Sequence, residues 1–283
     1  MRALAKWIAE FIMRGRRQAA MAAVLGYVVP LLTPATLALV TLRRGALDGT
    51  LVLFIGLSPA VLSIVFGDST SPILWITLLS LVVIYVPALL LRSTISLPFT
   101  VLGIVLTSTV VALVVMTFAP EAVEQLMRQL TQGLAQDTEV QEPVAMLISQ
   151  AGMSGMIAYI LALNSITGVL LGRWLQALLY NEGGFSEEFH GLRLGLAVAS
   201  ICFVGSVLCR LQGSEYWWWG SIFAIPLVLV AIAVAHSIVK QYQLSTPWLV
   251  LFYFAVFLFS PIVMCIGFLD TWFNFRQRFQ KTQ

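Results

Sequence analysis

The chain has 283 residues, of which 59% are hydrophobic and only 10% charged, with a mean hydropathy of +0.93. A soluble protein carries roughly 25% charged residues, so a water-soluble globule is excluded and lipid is the solvent. The net charge of +3 gathers in two clusters, Arg2 to Arg17 and Arg276 to Lys281, which favours anionic lipid headgroups over nucleic acid as the partner.

In chain order, Leu4, Trp7, Ile8, Phe11 and Ile12 recur at helical spacing, with Arg2, Lys6, Glu10 and Arg14 on the other side. Residues 1–18 are therefore expected to be an interfacial amphipathic helix and an uncleaved anchor, with Arg16 and Arg17 held in the cytoplasm. Apolar stretches follow at approximately 19–42, 47–66, 72–91, 96–118, 153–179, 194–211, 216–240 and 246–269. The expected fold class is all-α: a polytopic transmembrane helix bundle with eight or nine membrane-spanning segments, in a bacterial inner membrane.

The one long link, 119–152, carries an apolar stripe of Val123, Leu126, Leu130 and Leu134. Its Glu121, Glu124, Asp137, Glu139 and Glu142 outweigh the single Arg128, so it reads as an acidic, surface-lying helical pair on the outer side. Small residues at four-residue spacing, Gly168 with Gly172 and Gly195 with Ala199, suit close helix packing. Cys202, Cys209 and Cys265 lie in apolar runs without CxxC spacing, as packing residues do.

Loop charge constrains topology. One face receives Arg43, Arg44, Arg92, Arg173, Arg193 and Lys240; the other receives the acidic link, Arg210 and the basic C-terminus. A single crossing at 19–42 puts the arginine-rich loops outside, against the usual bias. Pro30 and Pro34 offer a division of that stretch into a short span and a return helix, which makes nine passages. Arg210 and Asp270, at the ends of apolar stretches an even number of crossings apart, are then expected on one side and paired. Arg276, six residues beyond Asp270, is a poorer partner unless the helix unwinds.

The segments Leu42-Arg43-Arg44-Gly45-Ala46-Leu47, Gly184-Phe185-Ser186-Glu187-Glu188-Phe189-His190-Gly191-Leu192-Arg193-Leu194 and Gly267-Phe268-Leu269-Asp270-Thr271-Trp272-Phe273-Asn274-Phe275-Arg276 resemble those of the YybS-like family of bacterial membrane proteins. That family is distantly similar to the substrate-binding S components of energy-coupling-factor transporters, in which a short second helix ends at an Arg-Arg-Gly turn matched by Arg43, Arg44 and Gly45. The resemblance implies an S-component-like core of six helices over residues 19–179, and additional helices with a basic tail over 180–283. Structural or interaction roles are expected of Arg43, Arg44, Gly45, Arg210, Asp270, Trp272 and Arg276.

No Gly-Lys pair occurs, so there is no Walker A loop, and transport would draw on a separate ATPase module or another energy source. The two histidines, His190 and His236, are far apart, and no serine sits in a GxSxG elbow. No catalytic residue, cofactor or metal is expected, and the chain is not read as an enzyme. Polar groups inside apolar helices are the remaining candidates, because each is costly in lipid unless satisfied. Asn164, Ser165 and Thr167, midway along 153–179, are the expected small-molecule ligand contacts; the alternative is helix glue. His236 near Lys240 and the run Trp217, Trp218 and Trp219 read as interfacial. Two functions stay open: a solute-binding or transport subunit without its own ATPase, and a non-catalytic membrane scaffold or assembly factor that binds another membrane protein.

Overall fold

A computed structural model describes residues 2–29, 31–67, 72–134 and 149–276. Pro30, Asp137, Glu139, Glu142 and Lys281 lie outside the described residues. Every regular element among those described is helical, and the chain forms two compact units, Met1–Phe185 and Ser186–Gln283.

In the first unit α1 (Arg2–Arg14) buries Ala9 and Ile12 while Leu4 and Trp7 stay exposed, so the amphipathic helix has one face for protein and one for lipid. Extended backbone at Gly15 separates it from α2 (Arg16–Leu25), which ends at Gly26. A Cβ on Gly26 would lie 2.0 Å from Thr33 Oγ1, so only glycine permits the chain to turn this tightly. Helix α3 (Leu32–Arg44) then returns antiparallel to α2: Thr33 Oγ1 donates to Ala23 O at 2.6 Å, and Arg44 donates to Met13 O at the open end. At 1.5 Å per residue the two limbs are about 15 and 20 Å long, short of the ~30 Å of a hydrocarbon core. The stretch 19–42 is thus a helical hairpin that starts and finishes at one end of the unit.

Helices α4 (Ala46–Phe66), α5 (Pro72–Thr94) and α8 (Gln150–Tyr180) pack on the hairpin, α6 (Leu97–Phe118) packs on α5 and α8, and amphipathic α7 (Pro120–Leu134) follows α6. Two interior prolines leave helical carbonyls without an N–H partner. Behind Pro59 the freed Ile55 O accepts from Ser58 Oγ at 2.7 Å. Behind Pro87 the freed Val83 O accepts from Ser165 Oγ of α8 at 2.8 Å. Gly168 and Gly172 back onto Pro34 and Ala38 of α3, where added Cβ atoms would come within 2.8 and 2.5 Å, so their small size is used as expected. Gly195 approaches nothing within 4 Å, and its pairing with Ala199 is not a packing seam.

The second unit continues from the short α9 (Gly184–His190), which straddles the boundary, into α10 (Leu196–Gln212), a 3-10 turn (Ser214–Tyr216), α11 (Trp217–Gln241), α12 (Pro247–Leu258) and α13 (Ser260–Phe273). Ser206 Oγ donates to Gly220 O at 2.7 Å between α10 and α11. Gly267 lets α13 rest on α11, since a Cβ there would meet Leu227 O at 1.9 Å. Helices α12 and α13 are bent by 112° about Phe259. Helix α12 starts beside the end of α11, where Tyr253 meets His236, and α13 finishes beside His190 and Leu192, whose neighbour His190 lies 6.2 Å from His236. The pair therefore enters and leaves at one end of the unit.

Five helices are long and apolar enough to cross a membrane, α4, α5, α6, α8 and the combined Ser214–Gln241 segment, or six if the bent pair is counted as one; α10 is a shorter apolar helix. Eight or nine such helices are not present among the described residues, because 19–42 and 246–269 are each folded into two short helices.

Candidate functional site

The hairpin's depth creates the most informative feature of the first unit. Helix α3 runs beside α8 in the same direction, with Pro34 at Gly168 and Ala38 at Gly172, so Asn164, one turn before Gly168, stands level with the hairpin turn just before α3 begins. Gly56 faces Thr33, Ala23 and Leu81, so α4 reaches the level of the turn near Ala60. Beyond Ala60 none of its residues is buried, although α4 continues for six residues, about 9 Å. The last turns of α4 thus project past the hairpin toward the end of the unit that carries α7.

The three residues expected to hold a ligand do not converge. Ser165 is fully buried and its hydroxyl serves Val83 O; Thr167 is exposed and donates to Leu163 O one turn back on its own helix. Both are structural, as proline-freed and helical carbonyls compete for their hydroxyls. Asn164 differs: its Oδ1 is buried with no hydrogen-bond partner among the described residues, at the level of the hairpin turn. A buried amide oxygen in that state forfeits about 1–3 kcal/mol unless water or a ligand meets it. Thr36 Oγ1, Thr41 Oγ1 and Ser108 Oγ are also buried and unpartnered in this unit.

At the opposite end the arginines hold the hairpin. Arg16 pairs with Asp48 at 2.7 Å, Arg44 with the same carboxylate at 3.7 Å, and Arg92 donates to Leu42 O at 2.6 Å. Arg43 lies 4.1 Å over the Tyr180 ring. Gly45, at φ +104°, ends α3 where a Cβ would lie 3.4 Å from the Arg92 guanidinium, so the Arg43-Arg44-Gly45 turn is a helix end with a cation beside it. Arg173 sits on the same run of α8 and bonds Gln176 at 3.1 Å.

In the second unit the expected Arg210–Asp270 pair does not form. Asp270 is fully buried and pairs with Arg276 at 2.7 Å; Arg276 also donates to His190 O and, at 2.8 Å, to Leu192 O. The cause is the end of α13: Asn274 adopts left-handed φ +48°, the tail doubles back, and Phe275 N donates to Asp270 Oδ1 at 3.1 Å. Arg210 stands at the other end of α11, 4.6 Å over Trp217 and 3.4 Å from Ser206 Oγ. The even-crossing argument fails because α12 and α13 return to the end from which they set out. Trp272 is exposed, with its edge toward Phe268 at 6.5 Å.

His190 and His236 are neighbours, contrary to the expectation that they lie far apart, and Tyr253 OH bonds His236 Nε2 at 2.9 Å. Burial, then the charges of Lys240, His236 and Arg276, hold His190 below the ordinary histidine pKa. The helix interior supplied the missed signals: Pro87 marks a carbonyl that needs Ser165, and Asn274 marks the reversal that delivers Arg276. No family model, curated protein or solved structure matches the chain.

Proposed function

We propose that this chain is a solute-binding subunit of the bacterial inner membrane, without an ATPase of its own, and that the resemblance to the YybS-like family and through it to S components reflects this role. The observation that carries the reading is Asn164, whose buried Oδ1 has no hydrogen-bond partner among the described residues, in the interior of an apolar helix. The positive-inside rule orients each unit separately. The end with Arg16, Arg43, Arg44 and Arg92 faces the cytoplasm in the first unit, and the end with Arg193, Lys240 and Arg276 does so in the second. The crossings are α4, α5, α6, α8, α10 and α11, with α2–α3 and α12–α13 as re-entrant pairs from the cytoplasmic side. The end of the first unit that carries α7 then faces the outside.

The alternative, a scaffold for another membrane protein, draws on α12, which buries no residue and exposes Trp248, Phe254 and Phe257. Purification in mild detergent followed by native mass spectrometry separates the two. The parent protein is expected to retain a small molecule, with an ATPase pair, and Asn164→Leu to fold and lose the molecule. A stable membrane-protein partner with no small molecule in either protein overturns the solute reading in favour of the scaffold.

A further inference from the structure

We propose that the solute is a small organic cation, received by Trp75 and Glu121 in a cavity where the start of α5 meets the corner of α6 and α7. The inference rests on the solute-binding reading and adds its chemical class. Between the start of α5 and the corner of α6 and α7 lies an open cavity of about 450 Å³, lined by Trp75, Phe118, Pro120, Glu121 and Gln125 among others. Small-molecule sites commonly occupy about 300–1,000 Å³. Trp75 lies six residues before Leu81, which faces Gly56 beside Thr33, so the cavity is on the outer side of the hairpin turn.

Its chemistry discriminates by charge. Glu121 is the one charged side chain of the lining and Gln125 the one amide; Trp75 and Phe118 supply aromatic rings. A carboxylate beside an indole recognises an ammonium group through charge and through the ring's negative face. The lining includes the first turn of α7, Pro120 to Ala122, and the start of a helix normally favours anions. Here Glu121 in that turn already supplies the negative charge, so an anionic solute meets a carboxylate instead of free positive potential. The described part of α7 has the same sign: Glu121 and Glu124 stand against Arg128, which pairs with Glu124 at 3.3 Å and leaves Glu121 unbalanced, while Arg16, Arg43, Arg44 and Arg92 gather at the opposite end of the unit. Such an asymmetry concentrates cations at the Glu121 end of the unit. The aromatic walls select a cation with an apolar body over a hydrated metal ion.

Benzyltriethylammonium serves as the probe, with benzenesulfonate and benzyl alcohol as anionic and neutral controls. Each is titrated into the full-length protein in mild detergent at low salt, and both thermal midpoint and Kd are read. The cation is expected to raise the midpoint and the controls not to. Glu121→Gln, at an exposed position, should weaken Kd about tenfold; Trp75→Leu should do likewise, and Trp75→Phe should keep most of the affinity. If benzenesulfonate or benzyl alcohol stabilises as well as the cation, or Glu121→Gln leaves Kd unchanged, the cation assignment is overturned while solute binding stands. If no probe binds and the Asn164→Leu protein purifies with the same small-molecule content as the parent, both readings fall.

Discussion

Replacing Arg276 with Gln removes a guanidinium that reaches three acceptors at once: Asp270, His190 O and Leu192 O. Asp270 is 0% exposed, and its second oxygen is already taken by Phe275 N. The carboxylate left behind has no water to receive it, so the loss belongs to the class of broken buried pairs, about 3–5 kcal/mol. Asp270→Asn leaves a neutral acceptor for Phe275 N but strands the Arg276 charge, and falls in the same range. The double change to Asn and Gln should cost much less than the sum, a coupling of about 1–3 kcal/mol, because neither charge is then buried alone. Arg210→Ala is the control: it removes the contact with Trp217, worth about 0.5–1 kcal/mol, and should add to Asp270→Asn without coupling. Unfolding by sodium dodecyl sulfate in mixed micelles, followed by circular dichroism, measures all four proteins. Single losses below about 1 kcal/mol, the range of exposed pairs, would refute the buried latch, as would coupling of Asp270 to Arg210 and not to Arg276.

Ser165→Ala should destabilise by about 1–2 kcal/mol, because Val83 O then has neither a helical N–H nor a hydroxyl; Pro87→Ala in the same protein restores the N–H and should recover most of that loss, and a purely additive double mutant contradicts the account. Reporter fusions test topology: alkaline phosphatase joined after Gln129 and after Gln212 should be active, and a cytoplasmic fluorescent reporter should be bright after Gln243 and at the C-terminus. A dark C-terminal fusion with active phosphatase there would restore nine passages. The third expectation concerns pH. His190 has a folded pKa lowered by burial and by neighbouring cations, so the folded state resists protonation and the unfolded state does not. Stability should be full above about pH 6.5, the unfolded value, and fall as pH drops from there through the depressed folded pKa. His190→Gln should flatten that slope in thermal unfolding between pH 7.5 and 5, and an unchanged slope would assign the titration elsewhere.

Much of the helical layout is readable from hydropathy, since Ala46–Phe66, Leu97–Phe118 and Trp217–Gln241 each coincide closely with an apolar run bounded by polar links. What hydropathy cannot convey is whether a run crosses or returns. The run 19–42 contains its answer in Gly26 and Pro34, and the doubled arginines flanking it at Arg16–Arg17 and Arg43–Arg44 agree. The run 246–269 gives only Pro261 as warning, and the reversal at Phe259 is stabilised by contacts with α10 and α11 that lie far away in sequence. The same distance hid the partner of Asp270, for a six-residue separation is off-face on a continuous helix and adjacent once Asn274 turns left-handed. Of the polar trio on α8, sequence spacing placed all three on one helix but could not say which hydroxyl was claimed by a proline-freed carbonyl.

The hairpin's short reach also has a mechanical meaning for the bilayer. At the arginine-rich end the first unit presents six helices in cross-section, α2, α3, α4, α5, α6 and α8; beyond the turn only α4, α5, α6 and α8 remain. With each helix about 10 Å across, the re-entrant arrangement proposed above gives the unit roughly a third less area in one leaflet than in the other. Such an inclusion is a wedge: it loads lateral pressure unequally across the two monolayers, so the curvature of the surrounding membrane becomes part of what sets how deeply the hairpin rests.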